Sequence, residues 1–238
     1  MPRRSRQCPT GLPVHVVQRG NNRQICFVSD SDLKAYANWL AEAAAQYDVA
    51  IHAWVFMTNH VHLLLTPSSS NALSRCMQYL GRYYVRYFNY RYKRTGTLFE
   101  GRFRSSVVQN QTYLLICQRY IELNPVRAGI VSDPADYTWS SYQAHAFGHA
   151  ARMWQPHPEY LALGQGRATR MSAYRKLFTL ELETNVIADI RDALNTGLVL
   201  GNEQFRREVE QLTGQRQYHL KRGPKPKGKP YLKKEFLL

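Results

Sequence analysis

The sequence predicts an α+β fold: a mostly antiparallel sheet with helices packed on one face, followed by a C-terminal helical extension. The main observation is the order of local patterns along the first half of the chain, which is β-α-β-β-α-β-α. Two of these strands are separated by only a two-residue turn, as in a hairpin. Because 44% of the 238 residues are hydrophobic, the chain also has enough apolar side chains for a core of this kind.

The first strand is predicted at Val14–Gln18, a short β-branched run, and the polar segment Arg19–Arg23 ends it. Ser29 and the residues after it offer side chains that cap a helix. Apolar residues then recur at helical spacing: Leu33, Tyr36, Ala37, Leu40 and Ala44. A helix is therefore expected directly after the cap.

A hairpin and a long helix come next. Ala50–Met57 is an almost continuous apolar strand, Thr58 and Asn59 make a turn, and His60–Leu65 is the second strand. The serine-rich segment before residue 71 then caps a helix over residues 71–93. Three arginines fall on a different side of this helix from its apolar stripe: Arg75, Arg82 and Arg86.

A strand is expected at residues 103–109 and a helix from residue 110 to Asn124, where Pro125 disfavours helical geometry in the preceding residue. Residues 143–170 predict a connector, and three further helices are expected near residues 172–182, 185–194 and 202–212. We therefore divide the chain into three parts. These are a first domain over residues 1–150, a helical extension over residues 151–220 that suits DNA binding, and a flexible basic tail over residues 221–238.

The charge of the chain favours a polyanionic partner. It carries 32 Lys and Arg against 17 Asp and Glu, a net charge of +15. Nucleic acid is the expected partner, because binding releases its condensed counterions; a merely basic surface is the alternative. No apolar run approaches the roughly 18 residues of a membrane span, and the N-terminus lacks the apolar stretch of a secretion signal. We therefore expect a cytoplasmic protein without membrane contact.

His60 and His62 are the first candidates for a functional site. Side chains two apart on a strand point to the same face, with Cα atoms about 6–7 Å apart, so both imidazoles can hold one cation. Because an HxH pair alone is a weak signal, two hydrogen-bonded histidines of an edge strand are the alternative. The remaining histidines, His15 among them, show no partner at a useful spacing.

The helix that ends at Asn124 can supply a further ligand and a nucleophile. Tyr120 and Asn124 are four residues apart and share one helix face. Two imidazoles with the amide oxygen of Asn124 suit Mg²⁺ or Mn²⁺ and leave positions for water and a phosphate oxygen. Such a cation can polarise a phosphodiester while the phenol of Tyr120 attacks it. The alternatives are a core aromatic for Tyr120 and a helix terminator for Asn124.

Four sequence blocks carry a resemblance to a known family. They are WVFMTNHVHLLLTP from Trp54, GTLFEGRFRSS from Gly96, RYIELNPVRAG from Arg119 and WSSY from Trp139. In this order they closely resemble the REP-associated tyrosine transposases, which form part of the single-tyrosine branch of the HUH endonucleases. The resemblance covers about residues 3–145. Family members commonly have Trp where this chain has Phe99 and Pro where it has Thr58, and neither difference affects the expected chemistry.

The resemblance implies both a fold and an activity. The fold is a ferredoxin-like antiparallel sheet with helices on one face. His60 and His62 are implied as the paired metal ligands, Asn124 as the third ligand and Tyr120 as the nucleophile. The implied activity is metal-dependent cleavage and rejoining of single-stranded DNA beside REP-type palindromic hairpins through a 5′-phosphotyrosine intermediate. The implied cofactor is Mg²⁺ or Mn²⁺. The implied setting is a bacterial cell, with the protein associated with the nucleoid as a monomer or a homodimer.

Contacts to DNA are expected from the loop after the first strand and from arginines elsewhere. The residues are Arg19, Asn21, Asn22, Arg23, Arg75, Arg82, Arg86, Arg102 and Arg104. A catalytically silent regulator that binds hairpin DNA is the alternative function. A metal phosphoesterase without a covalent step is a third possibility, but it needs a cluster of carboxylates that the sequence does not offer.

Overall fold

The computed structural model of the protein describes residues 8–219, so the predicted basic tail lies outside the described residues. The strands in this range are β1 Val14–Arg19, β2 Val49–Met57, β3 His60–Pro67 and β4 Arg104–Val107. The helices in this range are α1 Asp30–Gln46, α2 Ala72–Arg91, α3 Asn110–Glu122, α4 Asn124–Arg127, α5 Tyr142–Phe147, α6 Pro158–Leu161, α7 Arg167–Leu177, α8 Thr184–Thr196 and α9 Glu203–Thr213. The predicted order of the first seven elements is confirmed.

Local chemistry explains where the helices begin and end. At the start of α1, the carboxylate of Asp32 accepts hydrogen bonds from the backbone N–H groups of Val28 and Ser29, at 2.8 and 3.0 Å. Helix α3 ends at Glu122, and the short helix α4 begins anew with Pro125 in its first turn. Proline is tolerated there because its missing N–H would have no helical acceptor.

The four strands form one antiparallel sheet in the order β2-β3-β1-β4. On one side of β1, Val17 lies opposite His62, and on the other it lies opposite Arg104. Two pairs further along, and therefore on the same face, Arg19 lies opposite His60. This register decides which side chains become neighbours on each face.

The predicted α+β fold with an antiparallel sheet is confirmed, and helices cover both faces of this sheet rather than one. Helices α1 and α2 cover the first face, where Val16 and Leu63 are fully buried. Helices α3 and α8 cover the second face, where Val17 and Leu64 are buried. Neighbouring residues of a strand point to opposite faces, so the unbroken apolar runs of the central strands require cover on both.

The second half of the chain packs against the first. Helix α8 lies on the sheet through Ile190 and Leu194, and Leu200 pairs with Val108 beside it. Residues 143–170, expected as a connector, also pack into the fold, since His145 in this segment is completely buried. The proposed division at residue 150 stays a prediction. Within the described range, none of the helices combines the length and the apolar character that a membrane crossing requires.

Candidate active site

The strand register brings the two predicted histidines together with basic residues on the second face of the sheet. His60 and His62 of β3 share this face with Arg19 and Val17 of β1 and with Arg104 of β4, since residues opposite one another point the same way. All five line a cleft of about 320 Å³. The cleft is therefore built directly on three adjacent strands of the sheet, β3, β1 and β4.

His60 is held in place by Asn59. The side-chain amide of Asn59 donates a 3.1 Å hydrogen bond to the carbonyl of Arg23, and its Oδ1 accepts a 2.6 Å bond from Nδ1 of His60. Nδ1 of His60 therefore carries the proton, and Nε2 keeps a free lone pair. The loop after β1 folds back on itself at Gly20. Only glycine fits there, because a Cβ on Gly20 would lie 2.1 Å from the carbonyl oxygen of Gln24.

His62 is held by a third histidine. Its Nδ1 lies 2.9 Å from Nε2 of His15, and both side chains are buried. The prediction that His15 has no partner is therefore wrong, because β1 and β3 meet only in the folded sheet. With Nδ1 engaged, Nε2 is the nitrogen of His62 that is left for a ligand.

The protein environment keeps both candidate ligands neutral. Burial, and secondly the charge of Arg19, lowers the pKa of His60 to about 4. Burial, together with the neighbouring His15 and His60 and the charges of Arg127 and Arg19, lowers the pKa of His62 well below its usual value. Neutral imidazole is the form that binds metal ions, so neither residue has to lose a proton near neutral pH.

Tyr120 of α3 lies over the same face of the sheet. Its ring is edge-on to the rings of His62 and His15, with a centroid distance of 5.9 Å in each case. The rings of His60 and His62 are 5.2 Å apart. Tyr120 is only 5% exposed, but it is one of the residues that line the cleft. The structure therefore brings the predicted nucleophile and the predicted ligand pair together.

Asn124 and Arg127 fix the end of the helix that carries Tyr120. The side-chain nitrogen of Asn124 donates to the carbonyls of Tyr120 and Ile121, at 3.0 Å each. Asn124 lines the cleft, and because its side-chain nitrogen is engaged, Oδ1 is the polar atom that it can offer to a ligand. The guanidinium of Arg127 donates to the carbonyl of Tyr120 at 2.7 Å and lies 4.1 Å from the centre of its ring.

These donors fit a divalent cation. Two imidazole Nε2 atoms and one amide oxygen suit Mg²⁺ or Mn²⁺, and in each side chain the other polar group is held by the protein. In the part of the chain that the structure describes, no three His, Cys, Asp or Glu side chains gather as a metal cluster. The amide of Asn124 lines the same cleft as the histidine pair, and Glu100 is the one acidic residue among the described residues that line it.

The wall of the cleft is strongly basic. The arginines that line it are Arg19, Arg102, Arg104 and Arg191. Within residues 8–219, none of them forms an ion pair with a carboxylate. Arg104 instead donates a 2.6 Å hydrogen bond to the amide oxygen of Asn195. Unpaired guanidinium groups at this density attract phosphate groups.

Arg191 and Asn195 are cleft residues that the sequence analysis missed. Both lie on α8, in the part of the chain predicted as an extension. Neither stands in a motif, and their position depends on the packing of α8 against the sheet. Only the knowledge that α8 covers the second face could have identified them.

Other predicted DNA-binding residues lie away from the cleft. Helix α2 covers the first face of the sheet, opposite the cleft, and it carries Arg75, Arg82 and Arg86. The 3₁₀ turn that follows β1 is also outside the cleft lining, and it contains Asn21, Asn22 and Arg23. The structure thus brings only Arg19, Arg102 and Arg104 of the predicted arginines to the cleft.

Comparison with known proteins assigns the domain that contains this cleft. Residues 8–124 match the model of a family described as "Transposase IS200 like". These residues belong to the IS200-like transposase family. The match confirms the family that the sequence blocks predicted, and it includes His60, His62 and Tyr120 and ends at Asn124.

The transposase domain is also similar to solved structures. The chain is 18% identical to a REP-associated tyrosine transposase bound to a REP hairpin, with a TM-score of 0.55, and the alignment covers 66% of this chain and 93% of that chain. This similarity confirms the predicted α+β transposase fold. A provisionally assigned transposase from Deinococcus radiodurans is 22% identical, with a TM-score of 0.36 and coverage of 51% and 96%, and adds nothing to the assignment. No curated protein matches the chain.

Proposed function

We propose that the chain is a metal-dependent single-strand DNA endonuclease and strand transferase that acts beside palindromic hairpins. One observation carries the proposal. A tyrosine of α3, two neutral histidines of β3 and the amide at the start of α4 line one cleft. Four arginines that have no described carboxylate partner line the same cleft. A nucleophile, a cation site and a phosphate-binding wall are the parts that such a reaction needs.

Tyr120 is the proposed nucleophile. Its hydroxyl oxygen attacks the scissile phosphate, the new O–P bond attaches the downstream strand as a 5′-phosphotyrosine, and the bond from phosphorus to the 3′ oxygen breaks. The phenol gives up one proton and the departing 3′ oxygen takes up one. Because one phosphodiester replaces another, the step needs no nucleotide, and attack by a 3′-hydroxyl on the phosphotyrosine rejoins the strands.

The remaining residues of the cleft bind and orient the reacting groups. His60 and His62, through Nε2, and Asn124, through Oδ1, are the residues that would hold Mg²⁺ or Mn²⁺. A cation bound there supplies polarisation of a phosphate oxygen. The cleft arginines hold the backbone of the strand, and Arg127 fixes the ring of Tyr120 through its contacts with the ring and with the carbonyl.

Hairpin-bearing single-stranded DNA is the proposed substrate. The solved structure that shares this fold is bound to a REP hairpin, and this supports a hairpin partner here. The net charge of +15 also favours a nucleic acid. The arginines of α2 lie on the opposite face from the cleft, so we assign them to a part of the DNA that is not being cleaved.

The test is a covalent-adduct assay on a single strand that carries a palindromic hairpin with its natural flanks, taken from DNA that borders the gene. With Mg²⁺ or Mn²⁺, a label on the 3′ end should remain on the protein in denaturing gels, and a label on the 5′ end should appear on a shorter free strand. Chelation of the metal should abolish both products. The reverse distribution of the labels would contradict a 5′-phosphotyrosine.

Two variants make the assay specific. Tyr120→Phe should lose the adduct and keep hairpin binding, whereas Tyr113→Phe, a control on the same helix, should keep both. An adduct that survives in Tyr120→Phe would identify another nucleophile. Hairpin binding by the unmodified chain without any adduct, in the presence of either metal, would favour the silent regulator.

A further inference from the structure

His15 is a buried histidine that the proposed reaction does not use. It lies on β1 on the same face as His62 and is 1% exposed. Its Nε2 is 2.9 Å from Nδ1 of His62, and its ring is edge-on to that of Tyr120. Its Nδ1 is also buried and has no hydrogen-bond partner among the described residues. His15 thus contacts His62 from within the protein and is not one of the residues that line the cleft.

Two neutral imidazoles joined by one hydrogen bond have two possible arrangements of their protons. In the first, Nδ1–H of His62 donates to Nε2 of His15, so that His62 keeps a lone pair on Nε2 and His15 carries its own proton on Nδ1. In the second, Nε2–H of His15 donates to Nδ1 of His62. His62 then carries its proton on Nε2 and has no lone pair there for a cation.

We propose that His15 is a positioning residue for the cation site: it accepts the Nδ1 proton of His62 and thereby holds His62 in the tautomer whose Nε2 binds the cation. The inference rests on the proposed function, because it presupposes a cation at His60, His62 and Asn124. Asn59 does the same for His60 through its 2.6 Å contact. Partners of this kind orient metal-binding histidines and fix their tautomers.

The geometry links the proton of His15 to an ion that it does not touch. When Nε2 of His62 binds a cation, Nδ1 of His62 must carry the proton, and Nε2 of His15 must accept it. His15 can then carry its own proton only on Nδ1. The tautomer of His15 therefore depends on whether the site holds a cation.

Nuclear magnetic resonance of the isotopically labelled full chain tests this dependence. Long-range proton–nitrogen correlation spectra near neutral pH distinguish the two tautomers of each histidine. In protein saturated with Mg²⁺, we expect both His62 and His15 to be protonated on Nδ1. A His15 that stays protonated on Nε2 in saturated protein overturns the inference.

Two substitutions give a second measurement, the affinity for Mg²⁺ by calorimetry. His15→Leu removes the acceptor and should weaken Mg²⁺ binding about 10–100-fold. His15→Gln places an amide oxygen where Nε2 was and should bind within about threefold of the unmodified chain. Equal affinity of His15→Leu and the unmodified chain, or equal weakness of both variants, overturns the inference. If His15→Leu does not fold, the spectra and His15→Gln decide it.

Failure of the inference and failure of the proposed function give different results. An unmodified chain that binds Mg²⁺ and forms the adduct on Tyr120, but whose His15 stays protonated on Nε2, refutes only the role of His15. An unmodified chain that neither binds Mg²⁺ nor forms an adduct refutes both.

Discussion

Replacement of Glu122 by leucine is expected to lower the free energy of unfolding by about 3–5 kcal/mol. Glu122 lies on α3 and is completely buried. Its carboxylate accepts three hydrogen bonds: from the hydroxyl of Ser141 at 2.5 Å, Nδ1 of His145 at 2.7 Å and the hydroxyl of Tyr174 at 2.7 Å. These partners lie at α5 and on α7, so Glu122 ties the helix of Tyr120 to the second half of the chain.

The size of the effect follows from the burial of the three donors. None of them can reach water when the carboxylate is removed, because all three are buried. An unsatisfied buried donor costs about 1–3 kcal/mol. Ser141 and His145 recover part of their loss. The hydroxyl of Ser141 can turn to the carbonyl of Trp54, 3.2 Å away, and Nδ1 of His145 lies 3.0 Å from the carbonyl of Ser141. Tyr174→Phe removes one donor and leaves the carboxylate with two, which should cost about 1–2 kcal/mol.

Equilibrium unfolding in urea measures these differences. With a slope of about 3 kcal/mol per molar urea, Glu122→Leu should lower the midpoint by about 1–1.7 M. Glu181→Leu is the matched control, because Glu181 is exposed and outside the network, and it should change stability by less than about 0.5 kcal/mol. In the double variant, Tyr174→Phe should cost about 1 kcal/mol less than it does alone.

Two results would refute this reasoning. One is a midpoint for Glu122→Leu within about 0.3 M of that for Glu181→Leu. The other is full additivity of Glu122→Leu and Tyr174→Phe, which would mean that the two side chains do not depend on each other in the folded protein.

Three further predictions concern the cleft and the histidines. Arg191→Met should weaken hairpin binding and reduce the magnitude of the slope of log affinity against log salt concentration by about one, since one phosphate contact is lost. Fluorescence anisotropy over a series of salt concentrations measures this slope, and the control Arg207→Met, at an exposed arginine, should leave it unchanged. His60→Ala should abolish the adduct and keep hairpin affinity within about threefold, and an unfolded variant by circular dichroism would instead indicate a structural histidine. Burial lowers the pKa of His52 to about 4. Between about pH 6.5 and pH 4, His52 is therefore protonated in the unfolded chain but neutral in the folded chain, and about 3 kcal/mol of folding stability is lost by pH 4. His52→Asn should flatten the unfolding free energy against pH in this window, and an unchanged profile would contradict the assignment.

Local patterns were sufficient for most of the elements and for the central part of the site. The period of two in β3 places His60 and His62 on one face, and the spacing of four places Tyr120 beside Asn124. The end of α3 was predicted to within two residues, because the effect of Pro125 on its neighbours is local. Each of these features depends on residues close together in the chain.

The sequence by itself determined the type of each element, the face on which each side chain lies and the family of the domain. Only the tertiary structure decided which faces meet. It covered the second face of the sheet with α3 and α8, paired β1 with β3 so that His15 contacts His62, and brought Arg191 into the cleft. The physical reason is that periodicity specifies the direction of a side chain relative to its own backbone. The partner that it meets depends on strand register and helix packing between residues far apart in the chain.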